Sequence, residues 1–297
     1  MGTSKRIHQM TFGQWEKAFP DDDACKAYLA RHRWPEGVYC PRCGATNCYV
    51  LTRAFHWQCK ECSTHGYRFS VLVGTVFQNT NIGLREWFRV IHIMLTSKKG
   101  VSSHQIYRTM GFGSYETALY MTHRIRAAMA DAKFRKLIGY VEVDETYIGG
   151  SNRNRHWDKK TPGTGVAEKF IIIGAAQRKG GVVARVIEDT KTETFESFVR
   201  EVVSNKCSLL STDEHSAYRH LSPDYPHHAV RHHAKNYVVG AIHTNTIEGF
   251  WSIFKRGIMG TFHKVSRKYL PLYVAEFQWR YNNRLNADIF AQAIRSV

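Results

Sequence analysis

The stretch IGYVEVDETYIGG, residues 138–150, decides the fold of this chain. An apolar run rich in β-branched residues ends in the acidic pair Asp144-Glu145, and the segment closes on two glycines. This pattern predicts a buried strand that carries a carboxylate to its own end. A site built around Asp144 therefore takes its partners from elements elsewhere in the chain.

Two later segments supply such partners. Residues 208–218 (SLLSTDEHSAY) form a second apolar run that ends at Asp213, and residues 243–257 (HTNTIEGFWSIFKRG) predict a helix that carries Glu248. Mg²⁺ prefers oxygen ligands from a few carboxylates, and phosphodiester chemistry by two metal ions requires such ligands around ions roughly 4 Å apart. Asp144, Asp213 and Glu248 therefore predict a site for divalent metal and phosphate.

Other residues near these three carboxylates are alternative metal ligands. Glu142 lies two residues before Asp144, so it shares a strand face with it and is the rival first ligand. Glu145 is expected on the opposite face, where a local pair is its ordinary role. Asn245 offers a carbonyl oxygen as an alternative third ligand, but Glu248 brings a charge and is the stronger choice. An aspartate at a strand end is also often only a turn residue.

A basic group follows the third carboxylate on the same predicted helix. Lys255 comes seven residues after Glu248, which is two helical turns, so both side chains fall on one face. There Lys255 is expected to hold a DNA phosphate beside the metals. Arg256 begins a basic run that is expected to follow a DNA backbone.

The order of predicted elements around residues 138–150 indicates the fold class. Strands are expected over 138–148, 169–177, 181–188 and 207–212, with a helix over 193–205 between the last two and further helices afterwards. Three strands, a helix, a fourth strand and late helices are typical of an RNase H-like α/β domain, a mixed sheet flanked by helices. We assign residues 136–297 to this domain.

A cysteine pattern in the N-terminal third predicts a metal site. The pairs Cys40-Pro-Arg-Cys43 and Cys59-Lys-Glu-Cys62 are separated by fifteen residues, a spacing typical of a four-cysteine zinc ribbon. Four thiolates close the coordination shell, so this zinc is expected to be structural. Arg42 lies within the first pair and suits a phosphate-facing ribbon. Reduced cysteines without metal are the alternative.

Helical patterns flank the ribbon. Short helices are predicted within an N-terminal segment, residues 1–37, and the ribbon occupies 38–80. Residues 81–135 begin with an amphipathic helix; after it a short helix through Met110, a glycine-bearing turn and a longer helix predict a helix-turn-helix-like DNA-binding region. An ordinary helical linker is the alternative. The basic residues expected to contact DNA here are Lys98, Lys99, Arg124 and Arg126, and we predict that Arg124 and Arg126 are exposed on the last helix together with His123.

Charge and composition restrict the class of protein. The chain has 297 residues with 42 basic and 25 acidic side chains, a formal charge of +17, which favours a polyanionic partner such as double-stranded DNA. No apolar window is long enough to span a membrane, and the N-terminus lacks the apolar core of a signal peptide. We therefore expect a cytoplasmic, nucleoid-associated protein whose paired cysteines bind metal rather than form disulfides.

Seven motifs spread over nearly the whole chain carry a family resemblance: CPRCG (40–44), CKEC (59–62), VGTVF (73–77), VDETYIGG (143–150), TDEHSAY (212–218), HTNTIEGFWSIFKRGI (243–258) and FQWRYNNR (277–284). With them the chain resembles DDE transposases of bacterial insertion sequences that pair an N-terminal zinc ribbon with an RNase H-like catalytic domain. It is also similar to Merlin-type transposases.

The resemblance implies an activity and its residues. The family's three acids correspond to Asp144, Asp213 and Glu248, and its downstream lysine corresponds to Lys255. It implies Mg²⁺- or Mn²⁺-dependent cleavage and strand transfer at terminal inverted repeats, and two ends cut together imply at least a dimer on DNA. The alternatives are a DNA-binding regulator or domesticated transposase without activity, and a nuclease that cuts without joining.

Overall fold

The structure is a computed structural model of the chain, and it describes residues 7–62, 65–130, 134–149, 169–213, 216–221, 223–229 and 243–296. The chain divides into two compact units, one of residues 1–129 with 285–297 and one of residues 130–284. Among the described residues, no helix is both long and apolar enough to cross a membrane.

The first unit begins with two short capped helices, α1 (Phe12–Ala18) and α2 (Asp22–Arg33). Asp21 starts α2 because its carboxylate accepts the backbone N–H of Ala24 at 2.8 Å. The last helix of the chain, α9 (Ile289–Ser296), packs against α2 in this same unit. The contacts therefore assign residues 285–297 to the N-terminal unit, whereas we predicted one domain over 136–297.

A small antiparallel sheet follows, made of β1 (Cys48–Val50), β2 (His56–Cys59) and β3 (Tyr67–Ser70). We also expected strands over residues 66–80, but β3 is the one strand there, and turns occupy most of the rest. Trp57 and Phe69 stack across the β2–β3 pair with ring centroids 6.0 Å apart, and both rings are buried. Aromatic packing of this kind supplies the small apolar core that a sheet of this size needs.

Three helices complete the first unit: α3 (Leu84–Thr96), α4 (Ser103–Met110) and α5 (Tyr115–Ala128). The hydroxyl of Ser102 caps α4 by accepting the N–H of Gln105. Gly111 ends α4 in the left-handed conformation, with φ 66°, which glycine adopts without strain. The predicted order of helix, glycine turn and second helix is confirmed.

The second unit contains a five-stranded sheet of β4 (Tyr140–Ile148), β5 (Phe170–Gln177), β6 (Val182–Ile187), β7 (Leu209–Thr212) and β8 (His227–Ala229). Its order is β6-β5-β4-β7-β8. The first three strands in sequence run antiparallel to one another, while β7 runs parallel to β4 and β8 parallel to β7. This arrangement is RNase H-like, as predicted.

Helices cover both faces of the sheet. On one face α6 (Thr192–Val202) packs Phe195 and Phe198 against apolar side chains of β4 and β5. On the other face, α7 (Asn245–Gly257) and α8 (Leu270–Asn282) contribute Trp251, Phe254 and Phe277 to a second core. Burial of both faces explains why β5 (FIIIGAAQ) reads as a nearly continuous apolar run.

The outer strand β6 has its exposed backbone groups paired by side chains of α8. Asn282 accepts the N–H of Val182 at 2.7 Å and donates its amide to the carbonyl of the same residue at 2.9 Å. Gln278, one helical turn earlier, accepts the N–H of Ala184 at 2.8 Å. The two amides thus take the place of a neighbouring strand along this part of β6.

Candidate active site

Two of the predicted carboxylates meet because their strands are parallel neighbours. Glu142 of β4 stands opposite Ser211 of β7 in the register, so two further residues along each strand bring Asp144 level with Asp213. Asp213 follows directly after the last residue of β7. Asp144 itself lies in the middle of β4, which continues to Ile148, and not at the strand end as predicted. Residues that are level in the register of adjacent parallel strands lie side by side, and this explains how positions so far apart in sequence come together.

A third carboxylate joins them. Asp144, Glu145 and Asp213 each offer a carboxylate oxygen, and these three atoms all lie within 4.8 Å of one another. Burial and, to a lesser extent, the negative charges of Glu145, Asp213 and Glu248 together raise the pKa of Asp144 to about 7. Burial and the charge of Asp213 likewise raise the pKa of Glu145 to about 7. Together the three carboxylates form a desolvated, mutually repelling group.

The place of Glu145 differs from our expectation. Strand alternation puts it on the opposite face from Asp144, and there it does make the expected local pair, since the hydroxyl of Tyr218 donates to its carboxylate at 3.1 Å. Yet its carboxylate also belongs to the group with Asp144 and Asp213. The reason is that the neighbouring strand β7 ends at Thr212, and beyond that end the long side chain of Glu145 reaches Asp213.

Glu248 lies in the first turn of α7, as predicted, but outside the 4.8 Å group. Its carboxylate accepts the hydroxyl of Thr244 at 2.8 Å. It is close enough for its charge to raise the pKa of Asp144. The structure thus brings Asp144 and Asp213 into one group, whose third carboxylate is Glu145. Glu248 lies outside this group but near enough to act on Asp144 through its charge.

The two basic residues predicted on this helix are exposed. Lys255 and Arg256 lie in the last turn of α7, in the same unit as the carboxylates. The Nε of Arg256 donates to the carbonyl of Ser252 at 3.1 Å, which leaves the rest of its guanidinium facing solvent. Their contact with DNA stays a prediction.

Glu142, the rival first ligand, has a different role. Its side chain is completely buried, and it accepts hydrogen bonds from the backbone N–H groups of Thr246 and Ile247 at 2.6 and 3.1 Å. Arg178 makes an ion pair with it at 2.6 Å. The sequence offered one signal for this: an acidic residue inside an apolar run requires a buried partner.

The donor set of Asp144, Glu145 and Asp213 fits a divalent cation. Oxygen atoms from several carboxylates are the ligands that hard cations prefer, and buried carboxylates with raised pKa values gain most from a positive charge among them. The residues that would hold such ions are Asp144 and Asp213, with Glu145 or Glu248 completing the set.

The four predicted zinc ligands are also together. The sulfur atoms of Cys40 and Cys62 are 3.4 Å apart, and those of Cys43 and Cys59 are 3.6 Å apart. A tetrahedral zinc ion with Zn–S bonds of about 2.3 Å requires sulfur atoms roughly 3.8 Å apart. The four-cysteine cluster therefore fits a structural zinc ion.

The predicted DNA-contacting residues of the first unit divide into two groups. Arg42, Lys98 and Lys99 are exposed. Arg126 is completely buried and donates to the carbonyl of Val101 at 3.3 Å, so the predicted exposure of this residue is wrong. It lies on the inward face of α5, and its long apolar stem allowed a core position that the sequence pattern did not distinguish from the surface.

Two other residues of α5 are half-buried rather than exposed. The guanidinium of Arg124 packs on the rings of Tyr120 and Trp87, with its carbon 5.2 and 6.0 Å from their centroids. Burial, and to a lesser extent the charge of Arg126, lowers the pKa of His123 to about 4. Contact between these residues and DNA stays a prediction.

Comparison with known proteins identifies the family. The model of the ISXO2-like transposase domain matches residues 136–282, and the model of the transposase zinc-ribbon domain matches residues 20–65. The chain belongs to the ISXO2-like transposase family. The family predicted from the motifs is therefore confirmed, with its zinc ribbon at the N-terminal side and its RNase H-like domain after it.

A curated relative and two solved structures resemble this transposase-family chain. The relative is an uncharacterized protein in transposable element ISH50 of Halobacterium salinarum, 29% identical over 281 residues that cover 89% of this chain and 92% of the relative. An intasome of simian T-cell lymphotropic virus in complex with PP2A regulatory subunit B56 gamma is 12% identical over 61% of this chain and 74% of that chain, with a TM-score of 0.31. A pre-cleavage Mos1 transpososome is 10% identical over 69% and 77%, with a TM-score of 0.28.

Proposed function

We propose that this protein is the DNA transposase of an insertion sequence. It binds the terminal inverted repeats of the element, cleaves the DNA there and joins the freed 3′ ends to target DNA. The observation that carries the proposal is the meeting of Asp144, within β4, and Asp213, directly after the parallel strand β7, with Glu248 on a helix in electrostatic reach of Asp144. Family membership supports the same class of chemistry.

The carboxylates act by binding and positioning. Asp144, Asp213 and Glu248 hold Mg²⁺ or Mn²⁺ ions, which when bound supply Lewis-acid stabilisation of charge on the reacting phosphate. Glu145 adds a fourth carboxylate to the group. The exposed ammonium of Lys255 holds a DNA phosphate on the same helix as Glu248. Most of the catalysis is therefore orientation and charge stabilisation.

The first unit brings DNA to this site. The zinc ribbon, held by Cys40, Cys43, Cys59 and Cys62, and the helices α4 and α5 bind the element ends. Arg42, Lys98 and Lys99 contribute phosphate contacts, since each is exposed. Two ends are cut together, so at least two copies assemble on DNA. The protein works in the cytoplasm, on the nucleoid.

A cleavage and strand-transfer assay tests the proposal. DNA that carries the flanking inverted repeats is incubated with Mg²⁺ or Mn²⁺ and with wild type, Asp144→Asn or Glu248→Gln. We expect metal-dependent cleaved and joined products from wild type, and at least a hundredfold less from either variant, with DNA binding retained. Glu201→Gln removes an exposed carboxylate of α6 paired with Arg185 and serves as the charge-matched control, with unchanged activity.

Three other outcomes would contradict the proposal. Tight DNA binding without cleavage or joining, with both metals and several repeat lengths, would indicate a binding-only regulator. Cleavage without joining of a pre-cut end that carries a 3′-hydroxyl would indicate a nuclease. Full activity in Asp144→Asn would show that the carboxylate group is not the active site.

A further inference from the structure

A buried glutamate links the strand of the first catalytic carboxylate to the helix of the third. Glu142 is fully buried on β4, two residues before Asp144 and on the same face of the strand. Its carboxylate accepts the N–H groups of Thr246 and Ile247 and the hydroxyl of Thr246, at 2.6, 3.1 and 2.9 Å. These groups form the first turn of α7, the turn that also carries Glu248.

Arg178 completes the link from the turn that follows β5. Its Nε donates to Glu142 at 2.6 Å, and its Nη2 donates to the carbonyl of His243 at 3.0 Å. The Nδ1 atom of His243 lies 3.2 Å from the same carboxylate. A buried carboxylate is retained only when it is paired and hydrogen-bonded, and both oxygens of Glu142 are used in this way.

Glu142 caps the start of α7, which Thr244, the residue just before that helix, does not do. Thr244 occupies the N-cap of α7, but its side chain makes no capping hydrogen bond there. Its hydroxyl donates instead to the carboxylate of Glu248 at 2.8 Å. The free N–H groups at a helix start need acceptors, and a carboxylate also suits the positive end of the helix dipole. The cap of α7 therefore comes from the strand that bears Asp144.

We propose that Glu142 is a positioning residue for catalysis: by tying the first turn of α7 to β4, it sets the separation of the Asp144 and Glu248 carboxylates and hence the affinity of the site for divalent cations. This inference rests on the proposed function, because it assigns Glu248 to the cation site. Glu142 itself is too fully engaged by α7 and Arg178 to act as a ligand.

The proposal predicts that a substitution of Glu142 weakens cation binding while the protein stays folded. Glu142→Gln keeps the size of the side chain but replaces one acceptor oxygen by an amide donor, which must face either the N–H groups of Thr246 and Ile247 or the Nε of Arg178. The first turn of α7 then shifts while its buried Trp251 and Phe254 keep the helix on the sheet. Changes to residues that orient metal ligands typically weaken metal affinity by about 10–100-fold.

The experiment measures Mn²⁺ binding directly, by the electron paramagnetic resonance signal of free Mn²⁺, on the full zinc-loaded chain. We compare wild type, Glu142→Gln, Asp144→Asn and Glu276→Gln, and record the unfolding midpoint of each. Glu276 is the matched control, because it is also fully buried in the same unit and paired with Arg280 at 2.9 Å, but on α8. We expect Glu142→Gln to weaken Mn²⁺ binding about 10–100-fold, and Glu276→Gln to lower only the unfolding midpoint.

The other possible results also test the role of Glu142. Unchanged Mn²⁺ affinity in Glu142→Gln, an equal loss in Glu276→Gln, or wild-type binding that Asp144→Asn does not reduce would overturn it. If Glu142→Gln does not fold, the decision passes to Glu142→Asp, which keeps the charge but withdraws the carboxylate by one methylene and is expected to weaken binding in the same direction. Wild type that binds Mn²⁺ but does not cleave DNA would defeat the proposed function, and the affinity comparison would still decide the role of Glu142.

Discussion

Asp144 and Glu145 are neighbours in sequence whose raised pKa values make stability depend on pH. An aspartate titrates near pH 4 in an unfolded chain, whereas burial raises the pKa of Asp144 to about 7 in the folded protein. Between these values the folded state binds more protons than the unfolded state. The free energy of unfolding therefore falls as pH rises through this window, and the ionised carboxylate costs stability above pH 7.

We predict that Asp144→Asn stabilises the protein at high pH when no Mg²⁺ or Mn²⁺ is added. At pH 5 only the aspartate of the unfolded chain is largely ionised, so the variant should be more stable by no more than about 1.5 kcal/mol. At pH 8 the variant should be more stable by roughly 2–4 kcal/mol. Saturating Mg²⁺ should stabilise wild type more than the variant, because bound cation compensates the buried charge. A difference between the two proteins that does not change with pH would contradict this cause.

The residues show which parts of the site the sequence makes predictable. Asp144 and Asp213 were predictable because an acidic residue next to an apolar strand segment stands out, although β4 continues to Ile148 beyond Asp144. Glu145 was not, since strand alternation describes the face on which a side chain starts and not how far a long side chain reaches past the end of a neighbouring strand. Glu142 and Arg126 are buried charges, and only the folded structure shows the backbone groups that receive them.

At the scale of elements, α7 offers a test of packing with a built-in control. A methyl group added to Gly257 would lie 2.2 Å from Cζ of Phe277, which is buried against α7, whereas one added to Gly249 would meet nothing within 4 Å. We predict that Gly257→Ala destabilises the protein by about 1–3 kcal/mol through overpacking. Gly249→Ala should stabilise it by roughly 0.5–1 kcal/mol, because alanine favours a helix interior. Urea unfolding measures both, and the same sign for both substitutions would contradict the packing argument.

The zinc ribbon offers a test by ligand removal. Cys59 is completely buried on β2 and belongs to the four-cysteine group, so Cys59→Ser should reduce bound zinc from about one ion per chain to almost none. Cys48 lies on the neighbouring strand outside that group, and Cys48→Ser should keep the ion. Zinc released after thiol modification is measured with a colorimetric chelator. Retention of zinc by Cys59→Ser would show that the cluster is not the binding site.

Most helices and strands can be predicted from the local sequence pattern, whereas their grouping into two units cannot. The spacing of apolar residues indicated the strands at 138–148 and 169–177, which the structure places at 140–148 and 170–177. The same reasoning could not show that α9 packs with α2, because that contact joins opposite ends of the chain. Non-local contacts of this kind leave no periodic signal in the sequence.

At the scale of the whole molecule, the charge of +17 predicts DNA affinity that falls steeply with salt. We predict that replacing the exposed Lys98 and Lys99 by glutamine together lowers the slope of log affinity against log salt by up to about 2. Lys206 is equally exposed but precedes β7, at the opposite end of that strand from Asp213, so Lys206→Gln should leave the slope unchanged. Fluorescence anisotropy at several salt concentrations measures the slopes. Equal slopes for wild type and the double variant would remove the α3–α4 turn from the DNA surface.

The amides of Asn282 and Gln278 also determine how this molecule behaves when it is crowded. An outer strand with bare N–H and carbonyl groups is a template on which other chains add strands and grow into fibrous aggregates. At Val182 and Ala184 of β6, three of those groups already have partners within the same chain. Two polar side chains on a helix therefore act as gatekeepers, and where copies of this protein crowd together this part of the outer strand is closed to strand addition.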